Sequence, residues 1–109
     1  MVARPSSPRR GDVWLVNLDP VVGREIANLR PALVVSPDEL NAHLDTVVAC
    51  PMTSTARPWP FRVDIIFARR RGSIAVDQIR VLDRDRLVRR LGRLDPRPVL
   101  ARLREMFAD

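Results

Sequence analysis

The sequence predicts a mainly β fold of the α+β class, a small closed barrel covered by helices from its C-terminal side. Two observations carry this expectation. Between Asp12 and Leu82, short runs rich in Val, Ile, Leu and Trp alternate with turn residues, the pattern of strands in a barrel. Beyond Asp83 the apolar residues recur at helical spacing instead.

Met1–Arg10 holds two prolines, two serines and three arginines without an apolar period, so it is expected to be a flexible basic arm. A single domain then covers 11–109. Asp12–Leu18 reads as the first strand, closed by the turn signal Asp19-Pro20, and Val21–Arg30 as a loop. Pro31–Ser36 carries Ala-Leu-Val-Val, a buried strand by length and β-branching. Ser36 or Asp38 caps a short helical turn through Leu44, and Thr46–Cys50 is a strand running into Pro51-Met52-Thr53. Pro51 has no proton for a sheet ladder, which points to a sheet edge or a bulge.

Residues 54–60, with Pro58 and Pro60, form a loop; Phe61–Phe67 is a strand, Arg69–Gly72 a basic turn, and Ser73–Leu82 the last extended segment. Asp83 caps a helix with Leu87, Val88 and Leu91 on one face and Gly92 at its end. Asp95-Pro96 opens a second helix, whose Val99, Leu100, Leu103, Met106 and Phe107 face the sheet.

Composition narrows the chemistry. At 109 residues, 46% hydrophobic and 29% charged, the chain suits one soluble globular domain with no room for a separate cofactor domain. No apolar run approaches the roughly 20 residues of a membrane span, and no apolar stretch follows the basic start, so a cytoplasmic protein is expected. Cys50 and His43 are each the only residue of their type, which excludes an intramolecular disulfide, a multi-cysteine metal site and a catalytic histidine pair. His43 reads as a surface side chain and Cys50 as a buried, inert thiol. There is no Gly-rich phosphate loop, and neither metal nor cofactor is expected.

The net charge is +6 and all 19 basic residues are arginine. Up to residue 65 there are 7 arginines against 7 acidic residues; after it, 12 against 6, so the excess lies in the C-terminal half. Such a field favours polyanions, either nucleic acid or an acidic protein tail.

Three blocks make the sequence recognisable. Arg10-Gly-Asp-Val-Trp-Leu-Val-Asn-Leu-Asp-Pro-Val-Val-Gly-Arg-Glu, followed by Asn28-Leu-Arg-Pro-Ala-Leu-Val-Val, resembles the opening of MazF/PemK/Kid toxins. Pro51-Met-Thr-Ser resembles that family's Pro-x-Thr-Ser segment, and Asp77-Gln-Ile-Arg-Val-Leu-Asp with Arg86-Leu its Gln-Ile-Arg segment. The resemblance runs over about residues 9–91, and three blocks in the right order make it specific. It implies an SH3-like barrel of the CcdB/PemK type with a C-terminal helix, a two-fold homodimer, an antitoxin partner, and metal-independent cleavage of single-stranded RNA.

Carried over position by position, the resemblance puts the catalytic arginine at Arg30, the catalytic threonine at Thr53, the loop glutamate at Glu25 and the acidic residue before Gln-Ile-Arg at Asp77. The chemistry agrees. Cleavage through the 2′-hydroxyl needs a base, a stabiliser for the phosphorane and a proton donor. Arg30 keeps its charge and can grip two phosphate oxygens, and Thr53 can donate to the same phosphate from a strand end. Glu25 becomes a base if partial burial raises its pKa, as does Asp77. Each has a plainer alternative: an ion pair for Arg30, a turn hydroxyl for Thr53, a solvated loop carboxylate for Glu25, pairing with Arg80 or Arg62 for Asp77.

Gln78 and Arg80 join Asp77 as candidate substrate contacts, and Asn28, Ser54, Arg69, Arg70 and Arg71 as candidate RNA contacts, with a solvated hairpin the alternative for the arginine run. Trp14 reads as core or dimer packing. Where the Kid branch carries an arginine proposed as general acid, this chain has Ala75, so a MazF-like assignment is favoured over a Kid-like one. The competing function is that of toxins with the same barrel that poison DNA gyrase by binding. Those rely on aromatic and small residues at the extreme C-terminus, whereas this chain ends Arg104-Glu-Met-Phe-Ala-Asp.

Overall fold

The structure, a computed structural model, describes residues 7–55 and 58–109. In chain order it contains β1 (Asp12–Asn17), β2 (Leu29–Val34), α1 (Asp38–His43), β3 (Thr46–Thr53), β4 (Arg62–Phe67), β5 (Arg70–Ala75), β6 (Arg80–Asp83), β7 (Leu87–Arg93) and α2 (Arg97–Phe107), with 3₁₀ turns at Val76–Gln78 and Arg84–Arg86. The strands run in the order β4-β5-β3-β2-β1-β7, with β6 added beside β3. Every pairing is antiparallel.

β2 and β3 bury side chains on both faces, which explains their near-continuous apolar runs. Leu33, Cys50 and Met52 point into one core with Val13, Ile74, Val76 and Val99; Ala32, Val34, Val47 and Ala49 point into another with Val16, Leu18 and Leu82. α2 closes the first core. Val99 is its fully buried residue, worth about 2 kcal/mol by area, and Leu100, Leu103 and Met106 pack beside it. The ends of the strand path meet without a ladder, because the Phe67 ring of β4 lies against Gly92 of β7, about 3.2 Å from where a Cβ would stand.

That contact marks the main departure from expectation. Residues 87–92, expected as a helix ended by Gly92, form strand β7, paired with β1 from Asp12↔Arg93 to Val16↔Leu87. The apolar positions 87, 88 and 91 fit a helical turn, yet seven residues are too few to separate the two periods. A ladder to a strand 75 residues away decides the outcome, with two register shifts absorbing the misfit. Asp83 does act as a cap, accepting from the Asp85 amide, but for one 3₁₀ turn only. One C-terminal α-helix, not two, covers the barrel.

Smaller corrections have local causes. Pro51 lies inside a strand paired on both sides, not at a sheet edge. β3 pairs with β6 through Thr46–Ala49 and with β5 through Met52–Thr53, and Pro51 falls in the gap where no ladder bond is required. The expected last strand is broken by the Val76–Gln78 turn into β5 and β6. The basic turn sits earlier: Ala68 and Arg69 both have positive φ, while Arg70, Arg71 and Gly72 already belong to β5. Pro37, not Ser36 or Asp38, precedes α1; Ser36 instead hydrogen-bonds Asn41 and Val48. Phe107 is exposed rather than packed on the sheet.

Of the arm expected over 1–10, residues 1–6 lie outside the described residues. Pro8 is buried, the Arg9 amide donates to Asp12, and the Arg10 amide donates to Asp38. Cys50 is buried as expected, and desolvation, with the Asp77 charge adding to it, pushes its thiol up to about 12. Trp14 packs on the second core.

Candidate functional site

The paired part of the β2–β3 ladder ends at Ala32↔Pro51. Val35 donates its amide to Val48 of β3, so by strand alternation the amide positions of Leu33 and Pro31 also face β3. Pro31 has no proton to offer there. The two strands part beyond it and leave a groove of 630 Å³, lined by Arg30, Thr53, Ser54, Met52, Arg70 and Arg71 among others. Continuing the register by two residues sets Arg30 opposite Thr53.

Arg30 is half-buried, and its Nε donates to the Ala27 carbonyl at 3.2 Å. Among the described residues its two terminal nitrogens make no ion pair or hydrogen bond, so the structural ion pair considered above is not formed. Thr53 is half-buried at the end of β3, with its Oγ1 accepting from the Thr55 amide at 3.2 Å. Its own hydroxyl proton stays available to a ligand. β5 braces this end from beside: Met52 and Thr53 pair with Ile74 and Ser73, and a Cβ on Gly72 would stand 2.6 Å from the Thr53 carbonyl oxygen. No carboxylate lines the groove among the described residues.

Glu25, Asp77, Gln78 and Arg80 gather elsewhere. With Arg24, Ile26 and Pro51 they line a second depression of 440 Å³, separated from the first by the end of β3. Glu25 is exposed and accepts from the Val22 amide at 2.6 Å, so it lacks the burial on which a general-base role was premised. Asp77 is engaged by Arg62 through two bonds, Nε–Oδ1 at 2.7 Å and Nη2–Oδ2 at 3.2 Å. Of the alternatives for Asp77, the pair with Arg62 is the one formed.

Gln78 and Arg80 serve the loop between β1 and β2. Gln78 Oε1 accepts from the Ile26 amide at 2.7 Å and Arg80 donates to the Leu18 carbonyl at 3.3 Å. Arg86 adds bonds to the Asn17 and Asp19 carbonyls. Asn28, at positive φ, closes the loop: its amide donates to Asp19, and its carbonyl accepts from Leu18. A long exposed loop is thereby held as a fixed wall. Arg69 stands at the hairpin tip outside the lining of both depressions, whereas Arg70 and Arg71 reach the first. Ala75 is fully buried in β5 opposite Arg62, so no guanidinium enters from that position.

Sequence reasoning missed Gly72, Arg24 and Arg86. For Gly72 a signal existed, since a glycine inside a strand run often marks close backbone approach. Arg24 carries none, and Arg86, although part of a recognisable block, gives no sign in sequence of its bonds to the Asn17 and Asp19 carbonyls, which depend on where a loop lies. Among the described residues, no three His, Cys, Asp or Glu side chains are grouped to hold a metal ion.

Comparison with known proteins identifies the chain's relatives in sequence and in fold. The chain is 38% identical over 97 residues to endoribonuclease MazF9 of Mycobacterium tuberculosis, covering 79% of this chain and 81% of that one. Its fold superposes on the crystal structure of MazF from Deinococcus radiodurans with a TM-score of 0.78 at 36% identity, over 91% of each chain. A MazE-MazF structure from the same organism matches with a TM-score of 0.71 at 36% identity, over 92% of this chain and 91% of that one. The family profile described as PemK-like, MazF-like toxin of type II toxin–antitoxin system matches residues 9–107, nearly the whole length, and the chain belongs to that family.

Proposed function

We propose that this toxin is a metal-independent endoribonuclease that cleaves single-stranded RNA at short sequences, using the 2′-hydroxyl as nucleophile. The observation that carries the reading is the convergence of Arg30 and Thr53, 23 positions apart in sequence, on one groove flanked by Arg70 and Arg71. Arg30 points two unengaged nitrogens at a phosphate and offsets the charge that grows on the phosphorane oxygens. Thr53 donates a hydrogen bond to the same phosphate, and Ser54, Arg70 and Arg71 bind the flanking backbone.

Glu25 and Asn28 act from the loop wall on a strand that crosses from the first groove to the second. Because Asp77 is paired with Arg62 and Glu25 stands in the second depression, Glu25 acts on the flanking RNA rather than on the 2′-hydroxyl held beside Arg30 and Thr53. Asp77, Gln78 and Arg80 act by positioning. The gyrase-poisoning alternative finds no support in the relatives, which are named as endoribonucleases. The domain spans 11–109 and pairs as a homodimer, for which exposed apolar side chains such as Leu29, Val81 and Val88 offer surface to cover. A cytoplasmic location follows from the RNA substrate, and a cognate antitoxin with an acidic tail from the toxin family.

The experiment is incubation of purified protein with long RNA in excess chelator. Fragments ending in 2′,3′-cyclic phosphate are expected. Arg30→Ala lowers kcat/KM at least about 100-fold with the fold intact, and Arg30→Lys fails comparably because a point charge lacks the bidentate grip. A well-folded Arg30→Ala protein with wild-type rates overturns the assignment. So does normal cleavage of a substrate with 2′-deoxyribose at the cut.

A further inference from the structure

The second depression combines an apolar lining with unspent polar groups. Its volume is 440 Å³; Pro51, Ile26 and Ile79 supply the apolar part, and Arg24, Glu25 and Gln78 stand among them. Pro51 lies two residues before Thr53 on the same face of β3, a separation of about 7 Å. A nucleotide next to the one held at Arg30 and Thr53 can therefore reach this depression with its base.

The groups left over here have a definite donor and acceptor order. Gln78 Oε1 accepts from the Ile26 amide at 2.7 Å. A backbone N–H can only donate, so the Gln78 amide cannot be flipped, and its Nε2 protons are left without a partner among the described residues. Glu25 Oε1 is taken by the Val22 amide at 2.6 Å, which orients the carboxylate and leaves Oε2 unbonded. Arg24 is exposed and, among the described residues, makes no hydrogen bond or ion pair. Asp77 stays out of this set, because Arg62 holds both of its oxygens. Bonds from Gln78, Arg80 and Arg86 fix the backbone of the loop, so a ligand meets a wall already in place.

We propose that this depression selects a guanine base beside the cut, with Glu25 and Arg24 as its specificity-determining residues; the inference rests on the ribonuclease reading above. A carboxylate only accepts and a guanidinium only donates. Guanine alone among the RNA bases presents two adjacent donors, N1–H and the N2 amino group, and it also carries two adjacent acceptors, O6 and N7. Glu25 accepts on the first edge, Arg24 donates to the second, and Gln78 Nε2 adds a donor for O6. Each other base sets a lone pair beside the carboxylate: N1 in adenine, N3 in cytosine, O2 or O4 in uracil. Selection thus comes from repulsion as well as attraction.

The test begins by sequencing the ends of fragments cut from long RNA. Guanine is expected at one fixed position next to the cut, and replacing it by another base should lower kcat/KM about 5- to 150-fold. Base analogues then separate the contacts. In wild type, inosine at that position, which lacks the N2 amino group, and 7-deazaguanosine, which lacks N7, should each lower kcat/KM at least about 5-fold. Glu25→Ala should abolish the inosine penalty and keep that of 7-deazaguanosine, and Arg24→Ala should do the reverse. The wild-type measurements stand whether or not either variant folds. Absence of a guanine preference next to the cut, analogues cleaved as well as guanine by wild type, or an undiminished penalty in the folded variant that lacks the contact overturns the proposal. Failure of the ribonuclease reading is distinct, because wild-type protein would then cleave no RNA at all. Tighter binding of a guanine-bearing uncleavable 2′-deoxy oligomer than of its 7-deazaguanine counterpart would still support the depression as a guanine site, and equal binding would overturn it.

Discussion

Gly72→Ala probes whether the brace behind Thr53 governs catalysis. Gly72 is not at positive φ, so alanine suits its backbone, and the obstacle is space. The new Cβ would meet the Thr53 carbonyl oxygen at 2.6 Å, and a backbone oxygen in a paired strand cannot rotate away as a side chain can. Ordinary contact begins near 3.4 Å, so β3 and β5 must separate by about 0.8 Å at that point. Overpacking of this kind costs about 1–3 kcal/mol, a fall in Tm of roughly 5–20 °C for a domain this size. The displacement acts on the residue proposed to touch the phosphate, where 1 Å of misplacement can cost about 100-fold in rate. The folded variant should therefore lose about 10- to 100-fold in kcat, measured on the same RNA well below its Tm. Wild-type kcat in a protein with lowered Tm would refute the link from Gly72 to Thr53. Wild-type Tm would refute the steric argument itself.

Three further outcomes are expected. Cys50 makes alkaline stability a one-group experiment, because the chain has no Lys and no Tyr to titrate between pH 9 and 12. Its thiol pKa is raised from 9.0 to about 12 on folding, so the contribution is complete below pH 9 and is lost as pH rises towards 12; urea midpoints should fall over that window in wild type and far less in Cys50→Ala. Asp12 is buried and accepts from Arg93 at 2.9 Å, Arg90 at 3.2 Å and the Arg9 amide at 2.9 Å, tying β1 to β7. Asp12→Ala should cost about 2–4 kcal/mol in urea unfolding, and an unchanged midpoint would remove that ion cluster from the account of stability. An acidic antitoxin tail lying over the Arg30 groove should lose affinity as salt rises and compete with uncleavable RNA; full simultaneous binding on one protomer would place the inhibitor elsewhere.

What was legible in the sequence follows from how local each signal is. β1, the core of β2, the start of β3 and helix α2 rest on runs of apolar and β-branched residues that hardly need a partner to be recognised. Arg30 and Thr53 were recognisable because each sits in a short block, Asn28-Leu-Arg-Pro and Pro51-Met-Thr-Ser, that ties the chain to its family. The inert thiol of Cys50 was equally clear, from the apolar run it ends.

Tertiary structure alone decided the rest, and in each case the deciding partner is distant in sequence. Leu87–Arg93 becomes a strand because β1 offers it a ladder, a bond pattern no seven-residue window contains. Asp77 is taken by Arg62, 15 residues away, and Gln78 by the Ile26 amide, 52 residues away, so two candidate substrate contacts already have partners within the chain. Glu25 is kept in a different depression from Arg30 by the loop that Gln78 and Arg80 hold. Sequence specifies which side chains carry charge or a hydroxyl; which of those remain unengaged depends on hydrogen-bond competition among groups that only the folded sheet brings within reach.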